Sequence, residues 1–171
     1  MFLSKREMEL RKLWFETAYP PGEIEFFDSQ LRQASPLEVK GTAELLGATE
    51  EIRLRGHLAV RMESECDRCL ETARFPIDTD FDLFYRPEGT GIRSEEMELE
   101  PGETEIAYYS GDGLELNEIL REQVLLALPM QRVCREDCKG ICPVCGKDRN
   151  EDDCDCTVEP ADDRWAALKN L

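Results

Sequence analysis

Histidine is almost absent from this chain of 171 residues: His57 stands alone. One imidazole excludes the multi-histidine metal sites of hydrolytic zinc enzymes, and with His57 expected on the surface opposite Asp78 no spare ring remains for a Ser/His/Asp set. Neither a G-x-x-x-x-G-K-[ST] loop nor an H-E-x-x-H helix occurs. Basic residues are few, 21 Lys and Arg against 38 Asp and Glu, for a net charge of −17. Nucleic-acid coating runs on phosphate neutralisation by Lys and Arg, so a general RNA- or DNA-coating protein is excluded. Any nucleic-acid contact would be local or made through a basic partner, which an acidic surface attracts. Long apolar runs are missing too. The longest, Val124 to Met130, is broken by Pro129 and far too short to span a bilayer. The N-terminal MFLSKREMELRK has no hydrophobic h-region, so the expectation is a cytoplasmic protein without a secretory signal or membrane association. No spacing among the acids singles out a catalytic pair. The chain reads as a binding module, not an enzyme, with no small-molecule substrate.

What the sequence does hold is cysteine, eight in all. In a reducing compartment that number points to metal or redox chemistry, not to a disulfide framework. Six lie in residues 134–156, CREDCKGICPVCGKDRNEDDCDC, and two form Cys66-Asp67-Arg68-Cys69 upstream. Structural zinc takes four tetrahedral ligands, often thiolates in pairs whose two-residue spacer lets both sulfurs face one ion. Cys142-Pro143-Val144-Cys145-Gly146 has the form of a zinc-knuckle turn, and Cys154-Asp155-Cys156 supplies two more thiols in a ribbon-like arrangement. Cys134 and Cys138 form a C-x3-C pair. The preferred partition gives one ion to Cys142, Cys145, Cys154 and Cys156, and a second to Cys66, Cys69, Cys134 and Cys138. A single Zn2+ that recruits Cys138 and leaves the 66/69 pair apart stays open. Either way the ion would be structural, since no three-ligand site with an open position is present. The competing class is a cytosolic thiol redox or metal-buffering protein, but neither CxxC opens a helix after a parallel strand, where a thiolate would be stabilised.

The segments between the cysteines specify an α+β fold in two parts. Residues 1–129 should form an antiparallel β-meander, a sheet or partly open barrel, packed by one main helix; residues 130–171 should form the zinc-ribbon-like segment. Three stretches alternate with strict period two, 37–45, 52–62 and 73–85, each with one apolar face. With Cys66–Cys69 at a hairpin tip, Glu65 falls opposite Leu70. Val60 then meets Phe75, Leu58 meets Ile77 and Leu54 meets Phe81, while Arg55 meets Asp80, Arg53 meets Asp82 and His57 meets Asp78. Arg61, facing Arg74 and near Arg68, remains as a small uncompensated basic cluster. Residues 7–18 read as a strand, ended by Tyr19-Pro20-Pro21-Gly22, with Phe26 and Phe27 covering one edge of the core. Residues 86–104, with six Glu against two Arg, read as a flexible acidic loop. Glu105 to Tyr109 reads as a short strand. A helix begins near Leu116, capped by Asn117 and stopped by Pro129. Its stripe of Leu116, Ile119, Leu120, Val124, Ala127 and Leu128 should pack across the sheet. Ala161 to Leu171 resembles a short helix that docks Trp165 and Leu168.

Together, the CDRCL tip, the acidic loop, the helix ending LLALPM, CKGICPVCGKDRN, CDC and the terminal DDRWAALKNL resemble the YceD-like family of large ribosomal RNA subunit accumulation proteins. The resemblance runs from about residue 35 to the C-terminus, and residues 1–35 carry no match. It implies a process, accumulation of 23S rRNA and large-subunit biogenesis, and supplies no catalytic residues. The partner it implies is a ribosomal protein or precursor 23S rRNA. The cations expected to make that contact are Arg61, Arg68 and Arg74 at the hairpin tip, with Lys139, Lys147 and Arg149 on the knuckle.

Overall fold

The computed structural model describes residues 1–47, 50–89 and 106–157. Most of the expected acidic loop and the whole expected C-terminal helix lie outside these residues. By its internal contacts the chain divides into two units, Met1–Glu63 with Arg74–Met130, and Ser64–Ala73 with Gln131–Leu171. The hairpin tip therefore groups with the cysteine-rich tail.

The first unit is an α+β structure built on a mostly antiparallel sheet. A short strand β1 (Phe2–Ser4) leads into helix α1 (Lys5–Leu10), then β2 (Leu13–Tyr19), β3 (Arg32–Gln33) and β4 (Leu37–Leu46). The long strands β5 (Glu51–Glu65) and β6 (Thr72–Pro87) follow, then β7 (Ile106–Tyr109), β8 (Gly113–Glu115) and helix α2 (Leu116–Leu126). The six-stranded sheet has the order β2-β4-β5-β6-β7, with β3 paired to β5, and β1 and β8 form a separate ribbon. Alternation decides which face is dry. Leu37, Val39 and Ala43 of β4, Ile52, Leu54, Leu58, Val60 and Met62 of β5, and Ile77, Phe81 and Tyr85 of β6 are all buried. Burial of a side chain of this size is worth about 1.5–3 kcal/mol. Leu116, Ile119, Leu120 and Val124 of α2 join the same core cluster.

Several expectations are corrected. Residues 7–18 divide between α1 and β2, because the two apolar parities of this stretch serve different elements. Met8 is buried from the helix, Leu13 and Phe15 from the strand, and Trp14 faces out. Phe26 is buried, but Phe27 is exposed, takes a left-handed backbone (φ 54°) and lies under the Arg121 guanidinium. The sheet is not a pure meander, since β7 runs parallel to β6, Phe84 opposite Ile106. Period two marks a strand but not its direction, and the 18 residues between Pro87 and Ile106 are long enough for the crossover that a parallel pair requires. Asn117 does not cap α2; Glu115 holds that position, and Asn117 Oδ1 accepts a hydrogen bond from the Met1 amino group.

The hairpin keeps its predicted faces but shifts in register by two residues, a slip that period two cannot detect. Cys66 N–H donates to Glu71 O at 2.7 Å, so Cys66 opposes Glu71. Consistently, Arg74 pairs with Glu63 at 3.3 Å, so it is not part of an uncompensated basic cluster. His57 lies closer to Asp80 (3.0 Å) than to Asp78 (3.6 Å), and Arg55 reaches Asp82, not Asp80. Arg53 does meet Asp82 through two hydrogen bonds of 2.9 and 2.7 Å, and the guanidinium holds that carboxyl below its ordinary value. No helix among the described residues is long and apolar enough to cross a membrane.

Candidate metal centres

All eight cysteines belong to the second unit, and they converge as two tetrads. Cys66, Cys69, Cys134 and Cys138 form one; Cys142, Cys145, Cys154 and Cys156 form the other, with the sulfurs of each tetrad within 4.8 Å of one another. A tetrahedral thiolate site with metal–sulfur bonds of about 2.3 Å has edges of about 3.8 Å. The first tetrad has Cys66–Cys138 and Cys69–Cys134 sulfur separations of 3.9 and 3.6 Å. The eight thiols are free, and the donor set, four soft sulfurs at that spacing, fits a tetrahedral Zn2+.

Two turns of one design hold the CxxC pairs. In the first, Leu70 N–H donates to Cys66 O at 2.9 Å and Cys66 N–H to Glu71 O at 2.7 Å. In the second, Gly146 N–H donates to Cys142 O at 2.9 Å and Cys142 N–H to Lys147 O at 2.8 Å. The residue after the second cysteine has a positive φ in both, 64° at Leu70 and 75° at Gly146. Glycine takes that conformation freely, whereas leucine pays about 1–2 kcal/mol for it. The turn aims the Arg68 N–H at Cys66 Sγ (3.5 Å), and the Cys134 N–H reaches the same sulfur from the segment after α2 at 3.3 Å.

Those amides set the protonation pattern. Burial works against the Cys66 thiolate, but the Arg68, Cys134 and Cys69 amides outweigh it and bring the thiol down to about 6. Cys142 is lowered to about 6 chiefly by the amides of Cys145 and Val144. Four anionic sulfurs cannot share one small volume without a cation, so other members move the opposite way. Burial takes Cys69 up to about 12, and the neighbouring Cys145 thiol takes Cys156 up to about 12. Cys134 and Cys154 are also raised, and Cys138 is lowered, burial opposing it and the Asn150 amide among the groups favouring it.

Polar contacts clamp the tip to the segment after α2. Asp67 N–H donates to Arg132 O at 2.8 Å, and Arg132 N–H returns a bond to Asp67 Oδ2 at 2.7 Å. The Arg68 guanidinium reaches the Cys138 carbonyl at 3.1 Å and Gln131 Oε1 at 3.2 Å. Gly140, at φ +70°, lets the chain pass the tip closely, for a Cβ there would lie 2.7 Å from Arg68 O. Sequence reasoning had no signal for Asn150. Its Oδ1 accepts the Lys139 N–H at 2.8 Å, and its amide donates to Cys138 Sγ at 3.4 Å and to Asp148 Oδ1 at 2.7 Å. Groups that hydrogen-bond to a metal ligand in this way tune metal affinity by about 10–100-fold. Asn150→Asp, which exchanges that donor for an anion, should weaken metal retention by about that factor in chelator competition. An unchanged affinity would show that the amide does not support the sulfur.

Of the cations singled out from sequence, Arg68 is engaged within the clamp, Arg74 by Glu63, and Lys139 by Asp153 at 3.2 Å. Arg61, Lys147 and Arg149 are exposed side chains. Arg61 and Arg74 belong to the first unit, and Arg68, Lys139, Lys147 and Arg149 to the second.

Fold and site define a class: an α+β protein whose tail and hairpin tip carry two cysteine tetrads able to hold metal ions. The sequence profile of the family described as Large ribosomal RNA subunit accumulation protein YceD matches residues 54–171, and the chain belongs to that family. The uncharacterized protein YlbN of Bacillus subtilis is 26% identical over 170 residues, covering 96% of this chain and 91% of its own length. That alignment enters residues 1–35, where no match was expected. An uncharacterized protein of Mycobacterium tuberculosis is 27% identical over 157 residues, covering 91% of this chain and 72% of its own length. The chloroplastic Large ribosomal RNA subunit accumulation protein YCED homolog 1 of Arabidopsis thaliana is 22% identical over 166 residues, covering 80% of this chain and 49% of its own length. No solved structure matches the chain.

Proposed function

We propose that the chain is a noncatalytic zinc-binding factor of large ribosomal subunit biogenesis, acting in the cytoplasm. In this reading it supports 23S rRNA accumulation by binding a ribosomal protein or precursor rRNA. Family membership carries the process, and the convergence of eight thiols into two closed tetrads supports a structural metal over a catalytic one. Zinc fixes the knuckle, and the knuckle displays Lys147 and Arg149, with Lys139 beside them and Arg68 bracing the tip; Arg61 and Arg74 add cations on the sheet. A Lys147→Glu, Arg149→Glu double variant should lower 23S rRNA several-fold in a complementation assay and leave metal content unchanged. Normal rRNA levels in that variant would exclude this surface.

A second reading, thiol redox or metal buffering, draws on the exposure of Cys145 and the half-exposure of Cys154 and Cys156. Alkylation separates the two. A structural site protects its thiols until a chelator is added, whereas a redox dithiol reacts at once and cycles with a measurable potential.

A further inference from the structure

On the first unit, which contains no cysteine, α2, β7 and the β1/β8 ribbon line an open groove of about 660 Å3. Its walls include Phe2, Tyr108, Leu125 and Leu126, all exposed, Leu126 at 72%. Two successive outward leucines at the end of a helix leave apolar area that the fold itself does not cover. The rim is acidic. Glu115, Glu118 and Glu122 line it with a single cation, Arg121, which is stacked on Phe27 at 4.6 Å. No salt bridge engages the three glutamates among the described residues. Glu118 and Glu122 lie four residues apart on one helix face, a like-charge spacing that destabilises a helix slightly and that a cation would relieve.

We infer that this groove docks a basic segment of a partner protein, inserting apolar side chains between Tyr108 and Leu126 while Lys or Arg side chains meet Glu115, Glu118 and Glu122. The inference deepens the proposed function by choosing protein over RNA, and it rests on that reading only for the partner's ribosomal origin. Charge decides among occupants. Phosphates would meet the glutamates and be repelled. A second copy would bring another net −17. The chain's own residues 90–105 carry six Glu against one Arg, the wrong sign for this rim. Apolar anchors inside a charged rim form the usual anatomy of a protein interface.

The test places a photo-crosslinking phenylalanine analogue at Tyr108 or Leu126 of the full chain in cells, with exposed Trp14 on β2 as the control position. The expected adduct is a protein peptide rich in Lys or Arg with aliphatic neighbours, absent from the Trp14 control. Its yield should fall about tenfold in a Glu118→Lys, Glu122→Lys background that keeps the parent's circular dichroism and melting temperature. Adducts to RNA, to a second copy, or to residues 90–105 or 158–171 of the chain itself would overturn the inference. So would yields no higher than at Trp14, or yields unmoved by charge reversal. If depleting the protein lowers 23S rRNA but no such adduct forms, the groove inference alone fails. If the adduct forms while depletion leaves 23S rRNA normal, the biogenesis reading fails and the groove stands.

Discussion

Chelation of zinc from the two proposed sites should unfold residues 64–73 and 131–157 and leave the sheet of the first unit cooperative. Among the described residues of the second unit the apolar contribution is small. Its buried cluster consists of Cys66, Cys69, Ala73 and Cys138, with Val133, Cys134 and Ile141 partly buried beside them. Aliphatic burial on that scale cannot offset the entropy of ordering the segment. Structural zinc contributes apparent free energies on the order of 10–16 kcal/mol in small zinc domains, more than enough to close the gap. Hydrogen exchange across 131–157 should therefore accelerate to unprotected rates on chelation, with little change at Leu54 or Leu58. Metal analysis of untagged protein should give about two Zn2+ per chain, from the two tetrads. Cys138→Ser should lower that to about one. Less than one ion per chain in the parent would sink the proposal.

The same thiols give the pH dependence. Cys69, Cys134, Cys154 and Cys156 are all raised, so two members of each metal-free tetrad keep their protons at neutral pH. Zinc loading at pH 7 should thus release at least two protons per ion into a weakly buffered solution. Cys66 and Cys142 move the other way, from an ordinary 9.0 to about 6. A depressed thiol adds stability that is present above its unfolded value and is lost as pH falls through the folded one. Acid titration from pH 8 should accordingly release metal most steeply around and below pH 6.

How far the sequence discloses this structure depends on whether the decisive quantity is periodic. Burial alternates along β4, β5 and β6 as the residues do, because one wet face and one dry face impose period two. Register is different. A slip of two residues preserves both faces, and only the Cys66–Glu71 hydrogen bond and the Arg74–Glu63 pair fix it. The two tetrads were legible because ligand spacing is local, and the hairpin tip placed Cys66 and Cys69 within reach of the second pair. Leu70 hid the kinship of the two knuckles, since glycine is the usual sign of a left-handed residue and leucine gives none. Asn150 was invisible because its role lies in contacts to Cys138 and Lys139, not in any motif of its own.

Replacing either glycine at the centre of the sheet should be the most damaging single substitution in the first unit. Gly41 of β4 and Gly56 of β5 are directly paired. A Cβ on Gly41 would lie 2.3 Å from Arg55 O and 2.6 Å from Phe15 Cζ; one on Gly56 would lie 2.5 Å from Phe81 Cζ and 2.7 Å from Lys40 O. Glycine inside a strand normally costs about 0.5–1 kcal/mol relative to alanine. Here it admits two phenyl rings, Phe15 and Phe81, over the glycine pair, an arrangement in which aromatic side chains cover strand glycines. Overpacking a core usually costs about 1–3 kcal/mol, and a clash against backbone belongs at or above the upper end. Gly41→Ala and Gly56→Ala should each remove about 3 kcal/mol or more, a large share of a domain's typical 5–15 kcal/mol, read as a fall in the urea midpoint at constant slope. The two sites should differ in rescue. Trimming Phe81 to Leu should recover part of the Gly56→Ala loss, because the nearest clash is with a ring that can shrink. Trimming Phe15 should recover little at Gly41, where the nearest atom is a carbonyl held by β4–β5 pairing. A loss below about 1 kcal/mol at both positions would mean that the strands can separate to admit a methyl group, and that the close approach is not a requirement of the fold.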